Sequence, residues 1–284
     1  MTKPHVFFSL LLIMFFSAAK TFGQPLHLMT YNIRLDIKSD GENQWDKRKE
    51  VMTAQIKFYH PDVLGLQEAT PGQVNYLDSN LTKYKRIGIA REGAGKGEAS
   101  CIFYNAERLA LNSQHTFWLS ETPDSISKGW DASYLRVCTY GLFKDKKTKQ
   151  RFWVFNTHLD NDGAVARAAS VKLILQNIKL LNTANLPVFL MGDLNATPET
   201  TPVAILKTEM NDARDISMEK PFGPAGTFNG FNFSKPVTTL IDYIFVSKSA
   251  SVVVNKFAVL SDSYNLKYPS DHLPVFVQIC FKKK

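Results

Sequence analysis

The sequence predicts an α/β fold in which β-sheets pack together with helices outside them. Many short apolar runs stand against only a few helical stretches. No Pro/Gly/Ser-rich linker, internal repeat or low-complexity run divides the 284 residues. A chain of this length can bury a substantial core in one large domain. A single domain over residues 24–284 is therefore expected, with residues 1–23 different in kind.

That leading segment has Lys3, an apolar run over residues 6–16, and small and polar residues ending in Thr21-Phe22-Gly23. It reads as a secretory signal peptide cleaved after Gly23. Its 11-residue apolar run is short for a bilayer, which needs about 20 residues. No Cys lies at the junction and no later stretch is apolar enough to cross a membrane. The expected location is periplasmic or extracellular, without a stable membrane anchor.

Residues 26–34 alternate in strand fashion, and 62–67 form a short apolar run after Pro61. Between them residues 45–59 place Trp45, Val51, Met52 and Ile56 near one helical face, giving strand, helix, strand. Further strands are predicted at 99–104, 134–143, 151–158, 187–192, 240–246 and 273–280. Helices are predicted at 164–181 and after Thr197-Pro198, which has a cap residue followed by a proline suited to a first turn.

Composition decides less. The net charge of +8 falls to +6 if Lys3 and Lys20 leave with the leader. That balance suits an anionic phosphate ester or nucleic acid. Lys144-Asp145-Lys146-Lys147-Thr148-Lys149 reads equally well as a solvated hairpin tip, and the closing lysines as a tail. Cys101, Cys138 and Cys280 sit in apolar runs and are expected as buried free thiols.

The chemistry sits at strand ends: Thr30-Tyr31-Asn32, Leu66-Gln67-Glu68, Asn156-Thr157-His158, Gly192-Asp193-Leu194-Asn195, Ile241-Asp242-Tyr243 and Ser270-Asp271-His272. One Asn or Asp at a strand end is usually a turn former. Six apolar strands with unlike polar ends imply instead one polar cleft at the sheet edges. Carboxylate and amide oxygens are hard ligands suited to Mg²⁺ or Mn²⁺, whereas the His and Cys clusters zinc prefers are absent. Gly-x-Ser-x-Gly, a phosphate-cradling Gly-x-x-x-x-Gly-Lys and Gly-x-Gly-x-x-Gly are all absent. The glycine-rich 91–97 precedes a strand, so it reads as a mobile loop near the cleft.

In their order, Tyr-Asn-Ile-Arg, Gly-Leu-Gln-Glu, Asn-Thr-His-Leu-Asp, Gly-Asp-Leu-Asn, Ile-Asp-Tyr-Ile-Phe and Ser-Asp-His-Leu-Pro across 28–275 resemble the endonuclease/exonuclease/phosphatase superfamily. The resemblance implies a four-layer α/β (α+β) sandwich like that of deoxyribonuclease I, with two packed mixed β-sheets flanked by helices. It implies that Glu68 is the main Mg²⁺ or Mn²⁺ ligand, with Asn32 beside it and Asp271 a further or water-mediated one. Asp193 and Asn195 would orient the attacking water and the phosphate, His272 would act on the phosphoryl centre, and Asp242 would hold the His272 imidazole.

His158 matches the deoxyribonuclease-like and phosphatase-like branches, where the apurinic endonucleases carry asparagine, and would serve catalysis and phosphate binding. Glu98 resembles the glutamate that orients that histidine, and a solvated loop residue is its other reading. Arg136 stands where relatives bind phosphate, and a structural ion pair is its equal alternative. The segments 118–123 and 227–231 are expected as aromatic loops at the cleft rim.

The function implied is a metal-dependent phosphoesterase, with a lean towards nuclease-like phosphodiester cleavage drawn from charge and His158. A phosphatase or phosphodiesterase of a small molecule or lipid headgroup is the alternative. A catalytically silent binding module is disfavoured, because decay would erase the polar site residues first. The partner expected is a phosphate-ester substrate, nucleic acid included, and the chain is expected to be a monomer.

Overall fold

Several central strands are apolar on successive residues, so both of their faces must be covered. The computed structural model, which describes residues 24–248 and 251–282, meets this with two six-stranded mixed sheets and flanking helices. The expected signal peptide lies outside the described residues.

In chain order the elements are β1 (Leu26–Asn32), α1 (Trp45–Tyr59), β2 (Val63–Gln67), α2 (Pro71–Asn80), β3 (Tyr84–Ile87), β4 (Ile102–Asn105), β5 (Leu109–Trp118) and β6 (Val137–Asp145). There follow β7 (Arg151–His158), α3 (Ala164–Leu181), β8 (Val188–Asp193), α4 (Thr201–Glu209), β9 (Met210–Asp212), β10 (Asp242–Ser247), β11 (Val252–Val259) and β12 (Val275–Phe281). One sheet runs β11-β12-β1-β2-β4-β3 and the other β5-β6-β7-β8-β10-β9.

Each sheet contains one parallel pair, β1 with β2 and β7 with β8, joined by the crossover helices α1 and α3. Asn32 is thereby level with Gln67, and His158 with Asp193. β10 runs antiparallel to β8 with Asp242 opposite Asp193. Parallel pairing brings strand ends together, and these ends form the wall of one cleft.

Leu28, Val63, Ile102, Phe152, Val154, Phe189, Ile244 and Val275 fill the space between the sheets. Val171, Ile174, Val203 and Leu206 from α3 and α4 cover the outer face of the second sheet, while Met52, Ile56, Val74 and Leu77 from α1 and α2 cover the first. The four layers are the α/β sandwich the motifs implied.

One polar bridge crosses the apolar seam. Asn156 is fully buried, accepts from Gln67 Nε2 at 2.7 Å, and donates to the carbonyls of Leu66 and Cys101 at 2.9 Å each. Close approach of backbones also fixes Gly192, whose φ is +145° and where a Cβ would lie 1.9 Å from the Thr157 carbonyl oxygen. No other residue fits there.

Two expectations need correction. The helix after Thr197-Pro198 begins later, at Thr201, with Thr200 as its cap residue and Pro202 in its first turn. The second Thr-Pro pair starts the helix because Val203 and Leu206 are its buried residues, while Thr197 accepts from the Thr200 amide in the preceding turn. Trp118, expected at an open rim, ends β5 with 7% exposure and donates its Nε1–H to the Arg91 carbonyl at 2.7 Å. The three cysteines are buried and free of disulfides. Lys146, Lys147 and Lys149 are exposed at the turn between β6 and β7, but Asp145 there is buried and pairs with Arg108 at 2.9 Å.

Candidate active site

Asp193, at the end of β8, is the hub of the cleft. Its Oδ2 accepts from Asn32 Nδ2 at 2.9 Å and lies 3.7 Å from His272 Nε2 and 3.5 Å from His158 Nε2. Its Oδ1 accepts from the Asn195 amide at 2.8 Å. Burial, reinforced by the negative charge of Asp242, pushes the Asp193 carboxyl well above the usual carboxylate range.

His272 is held from its other nitrogen, with Nδ1 at 2.8 Å from Asp242 Oδ2. Burial opposes a charged imidazole here, but the Asp242 and Asp193 carboxylates outweigh it and raise His272 well above its ordinary value. Asp242 donates its own amide to Thr227 Oγ1 at 3.2 Å, and Thr227 accepts the Leu273 amide at 2.7 Å through its carbonyl. The 227–230 loop therefore ties β10 to the segment bearing His272. Its Phe228 ring meets the His272 ring edge-on at 5.1 Å and is 41% exposed to the cleft.

On the opposite wall Glu68 Oε1 accepts from Asn32 Nδ2 at 3.0 Å, and Oε2 accepts from the Leu35 amide at 3.0 Å. Asn32 Oδ1 accepts from the Arg34 amide at 3.0 Å, so one of its lone pairs is engaged. Asp271 lines the same cavity, its carboxyl raised by burial and by the charge of Glu68. It shares Arg34 with another carboxylate: Arg34 Nη1 is 3.9 Å away, while its Nε and Nη2 grip Asp40 at 2.9 Å. Two carboxylates facing one space with oxygen lone pairs to spare are the donor set a hard divalent cation takes. Among the described residues, Asp193, Asp242 and His272 also bring ligand-type atoms within 4.8 Å of one another.

Arg34, Glu68 and Asn195 have φ of +55°, +59° and +45°. Non-glycine residues there carry strain of about 1–3 kcal/mol each that surrounding structure must hold in place. Arg48 of α1, 4% exposed, does part of this by donating to the carbonyls of Ile33 at 2.9 Å, Arg34 at 3.2 Å and Pro269 at 2.8 Å.

His158, Asn195 and Arg136 line the same cavity. Glu98, expected beside His158, turns instead to Arg91, at 2.9 and 2.8 Å. The group at His158 Nδ1 is Arg136 Nη1, 3.0 Å away. Glu98 still lines the cavity, but a guanidinium takes its expected place beside His158. The cavity, about 560 Å³, is also lined by Arg34, Arg91, Tyr134 and Asn161. The motifs assign no role to these four, although Arg34 closes Tyr-Asn-Ile-Arg, Arg91 opens the glycine-rich loop and Tyr134 precedes Arg136 by two.

Comparison with known proteins gives the family and the fold. The model of the endonuclease/exonuclease/phosphatase family matches residues 29–272. A family protein from Bacteroides thetaiotaomicron superposes with a TM-score of 0.86 at 34% identity, covering 92% of this chain and 99% of that one. A mannosyl-6-phosphatase from the same organism gives 0.86 and 34%, covering 90% and 100%. A probable RNA exonuclease from Saccharomyces cerevisiae is 27% identical over 202 residues, 63% of this chain and 39% of that protein. The chain spans 37–59% of the length of the first curated relatives it matches.

Proposed function

Because the chain belongs to the endonuclease/exonuclease/phosphatase family, we propose that it hydrolyses a phosphoester by metal-assisted, in-line attack of water, and that its substrate is a small phosphate ester, a sugar phosphate first among them. The observation that carries the reading is the convergence of Asp193, His272–Asp242 and the Glu68–Asp271 carboxylates on one cavity.

Glu68 and Asp271 would hold Mg²⁺ or Mn²⁺, with Asn32 supporting Glu68. The bound ion supplies charge neutralisation at the phosphoryl oxygens and the leaving group. Asp193, with its raised proton affinity, takes the proton of the attacking water. His272, kept charged by Asp242, offers Nε2–H to the charge that builds on the phosphoryl oxygens, help typically worth about 10²–10⁴-fold. Asn195 and His158 bind the non-bridging oxygens.

Two features support a small substrate. A volume of about 560 Å³ lies within the roughly 300–1,000 Å³ of small-ligand sites. The half-exposed rings of Tyr134 and Phe228 on its wall suit the apolar face of a sugar. The likeness to the mannosyl-6-phosphatase, at 34% identity, points the same way. Polynucleotide cleavage is the second reading, favoured by the charge of +8 and the exonuclease relative. We also propose export by the leader 1–23; among the described residues no helix is long and apolar enough to cross a membrane.

Turnover of sugar phosphates, inositol phosphates, bis-p-nitrophenyl phosphate and an oligonucleotide with Mg²⁺, Mn²⁺ or EDTA tests this. Expected is EDTA-sensitive release of phosphate from a sugar phosphate, abolished in Glu68→Ala and His272→Ala. Activity indifferent to EDTA overturns the metal reading. Salt-sensitive cleavage of the oligonucleotide alone overturns the small-substrate reading.

A further inference from the structure

We propose that Arg136 is a positioning residue rather than a phosphate ligand: its guanidinium fixes His158 in the Nε2–H tautomer, so that His158 and Asn195 converge as two donors on one phosphate oxygen. The inference rests on the phosphoesterase reading for its function and on geometry alone for the tautomer.

A guanidinium only donates. With Arg136 Nη1 at 3.0 Å from Nδ1, that nitrogen must present its lone pair, and the neutral ring carries its proton on Nε2. Arg136 has little freedom to turn elsewhere. It is 6% exposed, Nη2 donates to Asn161 Oδ1 at 2.9 Å, and Nε points at Asp160 Oδ2, 3.5 Å away. Asp160 is itself fixed by the backbone amides of Ser133, Tyr134, Asp162 and Gly163. A carboxylate at the same position would pull the proton to Nδ1, but Glu98 is engaged by Arg91.

The consequence appears on the cleft side. Asn195 Nδ2 lies 3.0 Å from His158 Nε2 and also donates to the Leu159 carbonyl at 3.0 Å. That second bond prevents the amide from turning over, since its oxygen would then face a carbonyl oxygen. Two N–H groups so close oppose each other, and the carboxylate oxygen already near Nε2, Asp193 Oδ2, stands 3.5 Å off and leaves room for an acceptor that takes both. An anionic phosphate oxygen in the cleft is such an acceptor, and the charge-assisted bonds it would form are the stronger kind. Burial and the charge of Arg136 keep His158 protonation well below its ordinary value, consistent with a neutral donor.

The full chain, labelled with ¹⁵N-histidine, decides the tautomer by two-bond ¹H–¹⁵N correlation at neutral pH, with His158→Gln identifying the signals. Expected is a bare Nδ1 and a protonated Nε2; an imidazolium or an Nδ1–H ring overturns the proposal. Arg136→Gln still donates to Nδ1 and should keep the pattern, with kcat/KM within about tenfold of the parent. Arg136→Glu should move the proton to Nδ1 and lower kcat/KM by about 10²–10⁴-fold. If both variants raise KM and weaken inhibition by inorganic phosphate while the His158 spectrum stays unchanged, Arg136 binds phosphate and the proposal fails. Should the Glu variant not fold, the parent spectrum by itself still upholds or overturns the tautomer. That spectrum needs no substrate, so a protein lacking phosphoesterase activity would refute the functional reading while leaving the tautomer measured.

Discussion

Replacing Gly65 with Ala drives one methyl group into the seam between the sheets. The new Cβ would sit 2.6 Å from Asn156 Oδ1, 2.8 Å from Met191 Sδ and 2.9 Å from Asn156 Cγ. Met191 can yield, being flexible. Asn156 cannot yield without losing up to three buried hydrogen bonds, to Gln67, Leu66 and Cys101. Overpacking of this kind costs about 1–3 kcal/mol, and each hydrogen bond given up adds about 1 kcal/mol. With one of the three bonds given up, the expected destabilisation of Gly65→Ala is about 2–4 kcal/mol. Asn156→Ala alone orphans the Leu66 carbonyl and leaves a void, at a similar cost of about 2–4 kcal/mol. In the double variant the methyl enters the vacated space, so the two effects should fall short of their sum by about 1–2 kcal/mol. Urea unfolding followed by tryptophan fluorescence on the four proteins measures this cycle. If Gly65→Ala unfolds within about 0.5 kcal/mol of the parent, or if the two changes simply add, Asn156 is not the fixed obstacle described above.

Three further outcomes are expected. Asp242→Asn removes the charge that holds His272, and should lower kcat by about 10²–10⁴-fold while leaving KM and the unfolding midpoint near the parent; a change confined to KM would contradict the role given to the pair. Asp212 in β9 has its carboxyl raised from 3.8 to about 6 by burial and by Asp215. Its folded form binds the proton more tightly than the unfolded chain, so the stability this group contributes is fully present below about pH 4 and is lost as pH rises through 6. At about 1.4 kcal/mol per tenfold change in affinity the penalty above pH 6 is at most about 3 kcal/mol. Asp212→Asn should accordingly be more stable than the parent at pH 7.5 and equal to it near pH 4, as thermal melts across pH will show. Arg48→Met leaves the carbonyls of Ile33, Arg34 and Pro269 without their donor, and a loss of about 2–4 kcal/mol with weakened Mg²⁺ binding in calorimetry is the expected result; unaltered Mg²⁺ affinity would separate Arg48 from the carboxylate wall.

The strands and helices that carry the site were legible in the sequence because their apolar periods end abruptly in unlike polar residues. The predicted 151–158 and 164–181 coincide with β7 and α3. β5 escaped because the middle of this sheet-edge strand is exposed and polar, from Asn112 to His115. β11 went unassigned although Val252, Val253 and Val254 offered a strand signal, and α2 although Thr70, Pro71 and Gln73 spell a capping box that the structure contains. Glu68, His158, Asp193, Asn195, Asp271 and His272 line one cavity, and Asn32 and Asp242 stand behind it, bonded to Glu68, Asp193 and His272. What no linear pattern could give is pairing: that Arg91 takes Glu98, and that Arg136 rather than a carboxylate faces His158, depends on which of several charged groups arrive nearest once the layers have packed.

The placement of β12 between β11 and β1 has a temporal meaning as well as a spatial one. Asn32 lies at the end of the first strand, and His272 only just before the last. Pairings between segments so far apart in the chain form late and slowly. During synthesis a partly emerged chain holds Glu68 and Asp193 but neither Asp271 nor His272. The cleft described above is thus completed only when the last strand docks, and an unfinished or truncated chain lacks one side of it.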